Sequence, residues 1–192
     1  MFRGYFYKKI LLAIIFCSFF FKSSFAENIL VIEVAGEVNG RIEITLLPDV
    51  APQHVERIKA LVNAGSYDGV VFHRVIEGFM AQTGDVQFGN SKGFNPNLVG
   101  RGGSSLPNLP SEFSDLPFVK GTVGMARSQD PNSANSQFFI MFKPAPHLNN
   151  NYTVFGRVSS GMEVLNSIKK GDLKKNGAVI NPDIMKKVYI EK

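Results

Sequence analysis

The chain has 192 residues, a formal net charge of +5 and a single cysteine, Cys17. Four basic residues and no acidic ones lie in the first 26 positions, so the remaining 166 residues carry a net charge of only +1. This near-neutral remainder argues against nucleic-acid binding, which needs a basic surface, and the lone cysteine argues against a disulfide framework. Residues 27–192 suit one domain with a sizeable core.

The N-terminal segment resembles a targeting signal. Basic residues precede an apolar run over 10–21, and the small residues Ser24 and Ala26 occupy the −3 and −1 places before a cleavage site. The pattern predicts a signal peptide over 1–26, a mature chain beginning at Glu27 and export to the periplasm. The apolar run is short for a bilayer span. An uncleaved membrane anchor is the alternative, but we expect no stable membrane insertion after cleavage.

The first elements of the remaining chain are two strands and a helix. Residues 28–34 and 41–46 alternate apolar and polar side chains around Asn39-Gly40, a strong hairpin signal. The period then changes over 51–64, where Pro52 comes early and Gly65 lies just past the end. This segment predicts an amphipathic helix that buries Val55, Ile58, Leu61 and Val62.

The rest of the chain predicts mostly strands. Two strands are expected within 70–84, followed by a long ordered loop over 88–120, which in a compact domain is functional or packed by its own side chains. The further predicted elements are strands at 122–126, 138–142 and 153–158, a helix at 162–169 and a strand at 185–190. Many strands with antiparallel connections and two helices favour a closed barrel capped at its ends.

The segment 71–85 interleaves charged and amide side chains with aromatic and thioether ones. Strand alternation predicts Phe72 and Arg74 on one face and His73 on the other. In a second strand begun at Gly78, it predicts Phe79 and Met80 on opposite faces. An arginine beside large apolar groups directs a charge into a dry pocket.

Four motifs carry a family resemblance. They are Phe-His-Arg-Val-Ile-x-Gly-Phe-Met-x-Gln-x-Gly-Asp over 72–85, Gly-Thr-Val-Gly-Met-Ala over 121–126, Asn-Ser-Gln-Phe-Phe-Ile over 135–140 and Val-Phe-Gly-Arg-Val over 154–158. Their sequence and order resemble the cyclophilin family of peptidyl-prolyl cis-trans isomerases and cover nearly all of 28–192. The resemblance implies a mostly β fold, a closed eight-stranded antiparallel barrel with a helix over each opening.

The resemblance also implies the site and its chemistry. Twisting an X-Pro amide costs about 18–20 kcal/mol because resonance is lost, but no bond breaks. The reaction therefore needs no nucleophile, metal or other cofactor, only an apolar seat for the proline ring and a donor that favours the twisted amide. Arg74 is the expected donor to the pyramidal proline nitrogen, and Gln82 holds the carbonyl side. The expected substrate-binding residues are Phe79, Met80, Ala126, Gln137, Phe139, His147, Leu148 and Tyr152.

Each of these residues also has a plain structural alternative. Arg74 alone would be a surface or salt-bridged arginine, and aromatic residues on strands usually belong to the core. Gln137 and Ala126 have strand capping and close packing as alternative roles. For His73, a structural, hydrogen-bonded role is favoured over acid–base catalysis, because alternation turns it away from Arg74.

Two other kinds of site are not expected. His54 and His147 are far apart in sequence and lack a carboxylate cluster at ligand spacing, so a metal site is unsupported. Gly100-Arg-Gly-Gly103 lacks the Lys-Ser/Thr of a phosphate-binding loop and is interpreted as a flexible turn.

The chain departs from the best-known eukaryotic members at three positions. His147 stands where many have Trp, Tyr152 where they have His, and Arg127 where they have Asn. Because that Trp contributes an indole to cyclosporin binding in the family, the resemblance implies weaker binding here. These changes leave the implied isomerase residues intact and alter ligand preference.

The sequence therefore favours a monomeric isomerase whose partners are proline-containing polypeptides, not nucleic acid. Two rival functions stay open. The first is a barrel of the same fold that holds proline-containing segments as a chaperone without turnover, a reading that loss of Arg74 or Gln82 would favour. The second is a small-ligand β-barrel carrier, which the filled core positions disfavour.

Overall fold

The computed structural model describes residues 28–191. The predicted signal peptide over 1–26 and Cys17 lie outside the described residues. Within 28–191 the two α-helices have 12 and 6 residues, and no helix there has the length and apolarity to cross a membrane.

The fold is one nine-stranded antiparallel sheet with two helices. Its elements are β1 Ile29–Ala35, β2 Gly40–Leu46, α1 Pro52–Asn63, β3 Val70–Val71, β4 Arg74–Ile76, β5 Met80–Thr83, β6 Thr122–Met125, β7 Phe138–Met141, β8 Val154–Ser160, α2 Met162–Ser167 and β9 Ile184–Glu191. The strand order is β3-β9-β1-β2-β8-β6-β7-β5-β4. The predicted pairing of β1 with β2 is confirmed, but Asn39-Gly40 is not the turn itself: the chain bends over 36–38, and Gly40 is already in β2, opposite Val34.

The two edge strands of this sheet are consecutive along the chain, separated only by Phe72-His73. The sheet therefore curls until its edges adjoin, and the Thr83 hydroxyl donates a 2.9 Å hydrogen bond to the Val71 carbonyl there. The mostly β fold with two helices is confirmed. The predicted closure into an eight-stranded barrel is not confirmed. The sheet has nine strands, and within 28–191 no backbone pairing joins its edge strands β3 and β4.

The chain breaks strand alternation twice in this region. At Phe72-His73 it leaves the strand pattern, so Phe72 is buried in the main core while Arg74 lies on the outer face. The predicted common face for these two residues is wrong. Gly78, at φ +71°, lies in a turn that is closed by a hydrogen bond from the Phe79 amide to the Ile76 carbonyl. Because of this turn, β5 begins only at Met80. Alternation had predicted Phe79 and Met80 on opposite faces. That prediction is wrong, because both residues line the same cavity.

The two faces of the sheet bury different apolar clusters. On β7, Phe138 and Ile140 join the main core inside the curl, while Phe139 and Met141 join a second cluster on the outer face. Opposite Phe139, Gly124 of β6 lets two rings approach the backbone: a Cβ there would lie 2.6 Å from Phe118 and 2.7 Å from Phe139. This outer cluster is the base of the candidate site.

The long loop is anchored to α1. The Glu112 carboxylate accepts hydrogen bonds from the amides of Gln53 and His54, at 3.1 Å each, and from the His54 ring at 2.6 Å. Apart from a short 3₁₀ turn at Ser91–Gly93, the segment 88–120 has no helix or named strand, as predicted. Its polar anchors hold it against the domain although its sequence lacks periodicity.

Candidate functional site

Nine of the ten sequence-predicted site residues line one cavity of about 320 Å³ on the outer face of the sheet. Its lining consists of Arg74, Phe79, Met80, Gln82, Ala126, Arg127, Phe139, His147, Leu148 and Tyr152. The tenth predicted residue, Gln137, lines an adjoining cavity of about 240 Å³ that shares Ala126 and Arg127 with the first. The fold thus gathers residues from 74 to 152 into one groove with two compartments.

The pairing of β4 with β5 brings the polar residues together. Arg74 lies directly opposite Gln82, and residues opposite each other in an antiparallel pair share a face. An Arg74 Nη1–H donates to Gln82 Oε1 at 3.2 Å, Gln82 Nε2 donates to Gln137 Oε1 at 3.0 Å, and Gln137 Nε2 donates to the Gly102 carbonyl at 2.8 Å. This chain of hydrogen bonds connects the two compartments and orients both amides.

The Arg74 guanidinium is half-buried and carries an unneutralised charge. Its Nε donates to the Asn176 carbonyl and its Nη2 to Asn176 Oδ1, both at 3.0 Å. Burial lowers the pKa of Arg74 from its usual value, but a guanidinium keeps its proton in proteins. No carboxylate among the described residues pairs with it, so the structure does not support a salt-bridged role. Three of its five N–H groups have oxygen acceptors, which leaves one on Nη1, near the Met80 sulfur, and one on Nη2.

The apolar part of the cavity has a rigid base. Met80, Phe139 and Leu148 are buried and belong to the outer cluster. The Phe139 ring stacks on Phe118, with centroids 5.6 Å apart, and meets the Tyr152 ring edge-on at the same separation. Packed aromatic rings of this kind hold one orientation. The result is a firm apolar surface close to a charged donor.

The rim of the cavity carries the positions at which the sequence departs from the family. His147 is exposed and stacks on Phe79, with centroids 5.8 Å apart. The Arg127 guanidinium lies 4.5 Å from the Tyr152 ring centroid and donates to the Asn151 carbonyl from Nη2 at 2.8 Å. Arg127 therefore forms part of the wall between the compartments; the sequence marked it as a departure from the family but did not predict its contact with Tyr152.

His73 does not line the cavity. It is only 5% exposed, and burial lowers its pKa to about 4, so the ring is neutral near pH 7. A structural role fits this position. The Val71 backbone and the Gln137 side chain are polar groups near the ring, but within the described part of the chain neither ring nitrogen makes a hydrogen bond of good geometry. The ring lies close to Gly100, where an added Cβ would be 3.4 Å from it.

The glycine-rich segment 100–103 binds a carboxylate of the protein itself. The amides of Gly100 and Gly102 donate to Asp85 Oδ2 at 2.7 and 3.0 Å. These hydrogen bonds hold the segment against Asp85 and occupy amide donors that a phosphate would need. The flexibility of the turn stays a prediction. Within 28–191, no group of three or more His, Cys, Asp or Glu side chains is arranged to hold a metal ion.

One residue at the site was missed entirely. Asn176 contacts Arg74 but lies 102 residues later in the chain. The Asn176-Gly177 pair signals a tight turn, yet nothing in its sequence connects that turn with Arg74. Only the paired backbone of β4 and the 171–178 segment brings the two residues together.

Sequence comparisons agree with this geometry. Residues 29–190 match the family model for the cyclophilin type peptidyl-prolyl cis-trans isomerase. A probable peptidyl-prolyl cis-trans isomerase of Brucella suis is 62% identical over 154 residues, covering 80% of this chain and 79% of the relative. Peptidyl-prolyl cis-trans isomerase-like 3 of Rattus norvegicus is 41% identical over 135 residues, covering 68% of this chain and 77% of the relative.

Solved structures with the same fold include a cyclophilin type isomerase of Cryptosporidium parvum crystallised in the presence of the dipeptide Ala-Pro. It has a TM-score of 0.71 and 28% identity, covering 85% of this chain and 99% of that one. A cyclophilin from Hirschia baltica has a TM-score of 0.69 and 26% identity, covering 86% of this chain and 74% of that one.

Proposed function

This chain belongs to the cyclophilin-type peptidyl-prolyl cis-trans isomerase family, and we propose that it catalyses X-Pro isomerisation by stabilising the twisted amide with Arg74 over an apolar proline seat. The observation that carries the mechanism is the arrangement of Arg74. Its guanidinium is half-buried, lacks a carboxylate partner among the described residues, and is held by Gln82 and Asn176 beside the base of Met80 and Phe139.

The reasoning begins with the amide itself. In the planar ground state the proline nitrogen shares its lone pair with the carbonyl and is a poor acceptor. As the amide twists, the nitrogen becomes pyramidal and regains that lone pair. A free N–H of Arg74 then gains an acceptor that exists only near the transition state, which is the condition for lowering the barrier.

The remaining residues position the substrate. Met80, Phe139 and Leu148 supply the apolar seat for the ring, and Phe79 with His147 forms one side. Gln82, with Gln137 and Ala126, faces the carbonyl side of the peptide. The reaction needs no metal or cofactor, because rotation about the amide forms and breaks no covalent bond.

The substrates are proposed to be proline-containing polypeptides. Support comes from the size and apolar base of the cavity and from the related Cryptosporidium structure, which was crystallised in the presence of Ala-Pro. The signal pattern over 1–26 supports export, so the clients would be proteins that fold in the periplasm.

The rival function, holding proline-containing segments without turnover, is separable by experiment. A protease-coupled assay follows cis-to-trans conversion of a short X-Pro peptide, and an aggregation assay follows holding of an unfolded protein. We expect turnover at enzyme concentrations far below that of the peptide. Suppression of aggregation only at equimolar protein, with no peptide turnover, would favour holding and contradict the proposal.

A further inference from the structure

We propose that Asn176 is a positioning residue that fixes the orientation of the Arg74 guanidinium for catalysis. The inference rests on the proposed role of Arg74 and deepens it. Asn176 is exposed and does not line the cavity, so its effect would pass through Arg74 and not through the substrate.

The contact uses two acceptors of one residue. The Asn176 carbonyl accepts from Arg74 Nε and the side-chain Oδ1 accepts from Nη2, each at 3.0 Å. Gln82 binds the third nitrogen, Nη1. Because all three guanidinium nitrogens are held in the plane of the group, rotation about its terminal bonds is restricted and the free N–H groups point in a fixed direction.

The backbone conformation explains why an asparagine serves here. Asn176 has φ +54° and ψ +34°, the left-handed region that Asn adopts more readily than other residues with a side chain. In this conformation its carbonyl and its side-chain oxygen both reach Arg74. A glycine would keep the conformation and the carbonyl but lose Oδ1.

The turn that carries Asn176 is tied to the strand that carries Arg74. The Val75 amide donates to the Gly177 carbonyl and the Gly171 amide donates to the Val75 carbonyl, both at 2.8 Å. Within the turn, the Gly177 amide donates to the Asp172 carbonyl at 2.8 Å. The turn and β4 therefore behave as one rigid unit, which suits a residue that orients its neighbour.

The test replaces Asn176 with glycine in the mature chain. Asn176→Gly removes one hydrogen bond to a charged group without straining the backbone, and we expect kcat to fall by about tenfold while KM changes by less than about twofold. Asn181→Gly is the matched control, because Asn181 is also exposed and left-handed, with φ +53°. The control should keep the wild-type kcat, and thermal unfolding reports any general loss of fold.

A double-mutant cycle separates positioning from a merely structural effect. In an Arg74→Ala background, Asn176→Gly should lower kcat by no more than about twofold, since the group it orients is gone. An unchanged kcat in the single Asn176→Gly variant would overturn the inference, and so would an equal loss in both backgrounds. If Arg74→Ala itself isomerises at the wild-type rate, it is the proposed mechanism that fails.

Discussion

Gly124→Ala tests whether the apolar base of the cavity is as tightly fixed as the structure indicates. The new Cβ would lie 2.6 Å from Phe118 Cε1 and 2.7 Å from Phe139 Cζ, closer than real Cβ contacts allow. Both rings are nearly fully buried and stack on each other, so neither can yield without disturbing its neighbours. The Phe139 ring has the cavity on one side, and we expect it to move into that space.

The magnitude follows from overpacking. Inserting a methyl group into a packed core costs about 1–3 kcal/mol, which for a domain of this size lowers the melting temperature by roughly 2–12 °C. Because the displaced ring takes up part of a cavity of about 320 Å³, kcat/KM should fall more than stability alone explains. Calorimetry measures the first effect, and a protease-coupled peptide assay well below the melting temperature measures the second.

Gly156→Ala is the matched control. Its added Cβ would lie 2.8 Å from Ile44 and 3.2 Å from the Thr45 carbonyl, in the main core away from the cavity. It should lower the melting temperature similarly but keep kcat/KM. If Gly124→Ala keeps full stability and activity, or if Gly156→Ala loses as much activity, the reasoning about the cavity base is refuted.

Three further predictions concern the rim, the core and the leader. The natural protein should bind cyclosporin weakly, and His147→Trp should strengthen inhibition by cyclosporin more than it alters turnover. Tight inhibition of the natural protein would contradict this prediction. The folded pKa of His73, about 4, lies below the ordinary 6.5, so the unfolded chain takes up a proton first and stability falls as pH drops from about 6.5 to 4. Between pH 7.5 and 4.5, the loss of unfolding free energy measured with urea should be about 2–3 kcal/mol larger for the natural protein than for His73→Leu, which retains the contribution of the other buried histidine, His54. An identical loss in both proteins would contradict this prediction. Mass spectrometry of envelope protein should find a terminus at Glu27, whereas an intact Met1 would contradict export with cleavage.

Much of the fold was predictable because its signals are local. The pairing of β1 with β2 and the helix after Pro52 depend on residue type and period within a few positions. The many strand patterns along the chain also favoured a mostly β fold. The number of strands was not predictable, because the interruption at Phe72-His73 arises from the way the sheet edges meet, a long-range effect that short-range alternation does not register.

The candidate site was predictable from its motifs more than from its periodicity. Alternation alone put Phe79 on the wrong face, since it took no account of the Gly78 turn. The family resemblance grouped Phe79 with Met80, and both line the same cavity. Asn176 stayed hidden because its contact with Arg74 depends on backbone pairing far along the chain, and the contacts of Arg127, which the sequence had marked only as a departure from the family, depend on loop packing.

The most direct test of the central claim is the activity of Arg74 variants that are fully folded. Arg74→Ala should lower kcat/KM on an X-Pro peptide by about 10²–10³-fold, by analogy with the loss of a donor used in the transition state, while its thermal unfolding stays close to wild type. Arg74→Lys should recover only part of the rate, because an ammonium does not reproduce the planar fork. A folded Arg74→Ala variant that isomerises the peptide at the wild-type rate would contradict the mechanism.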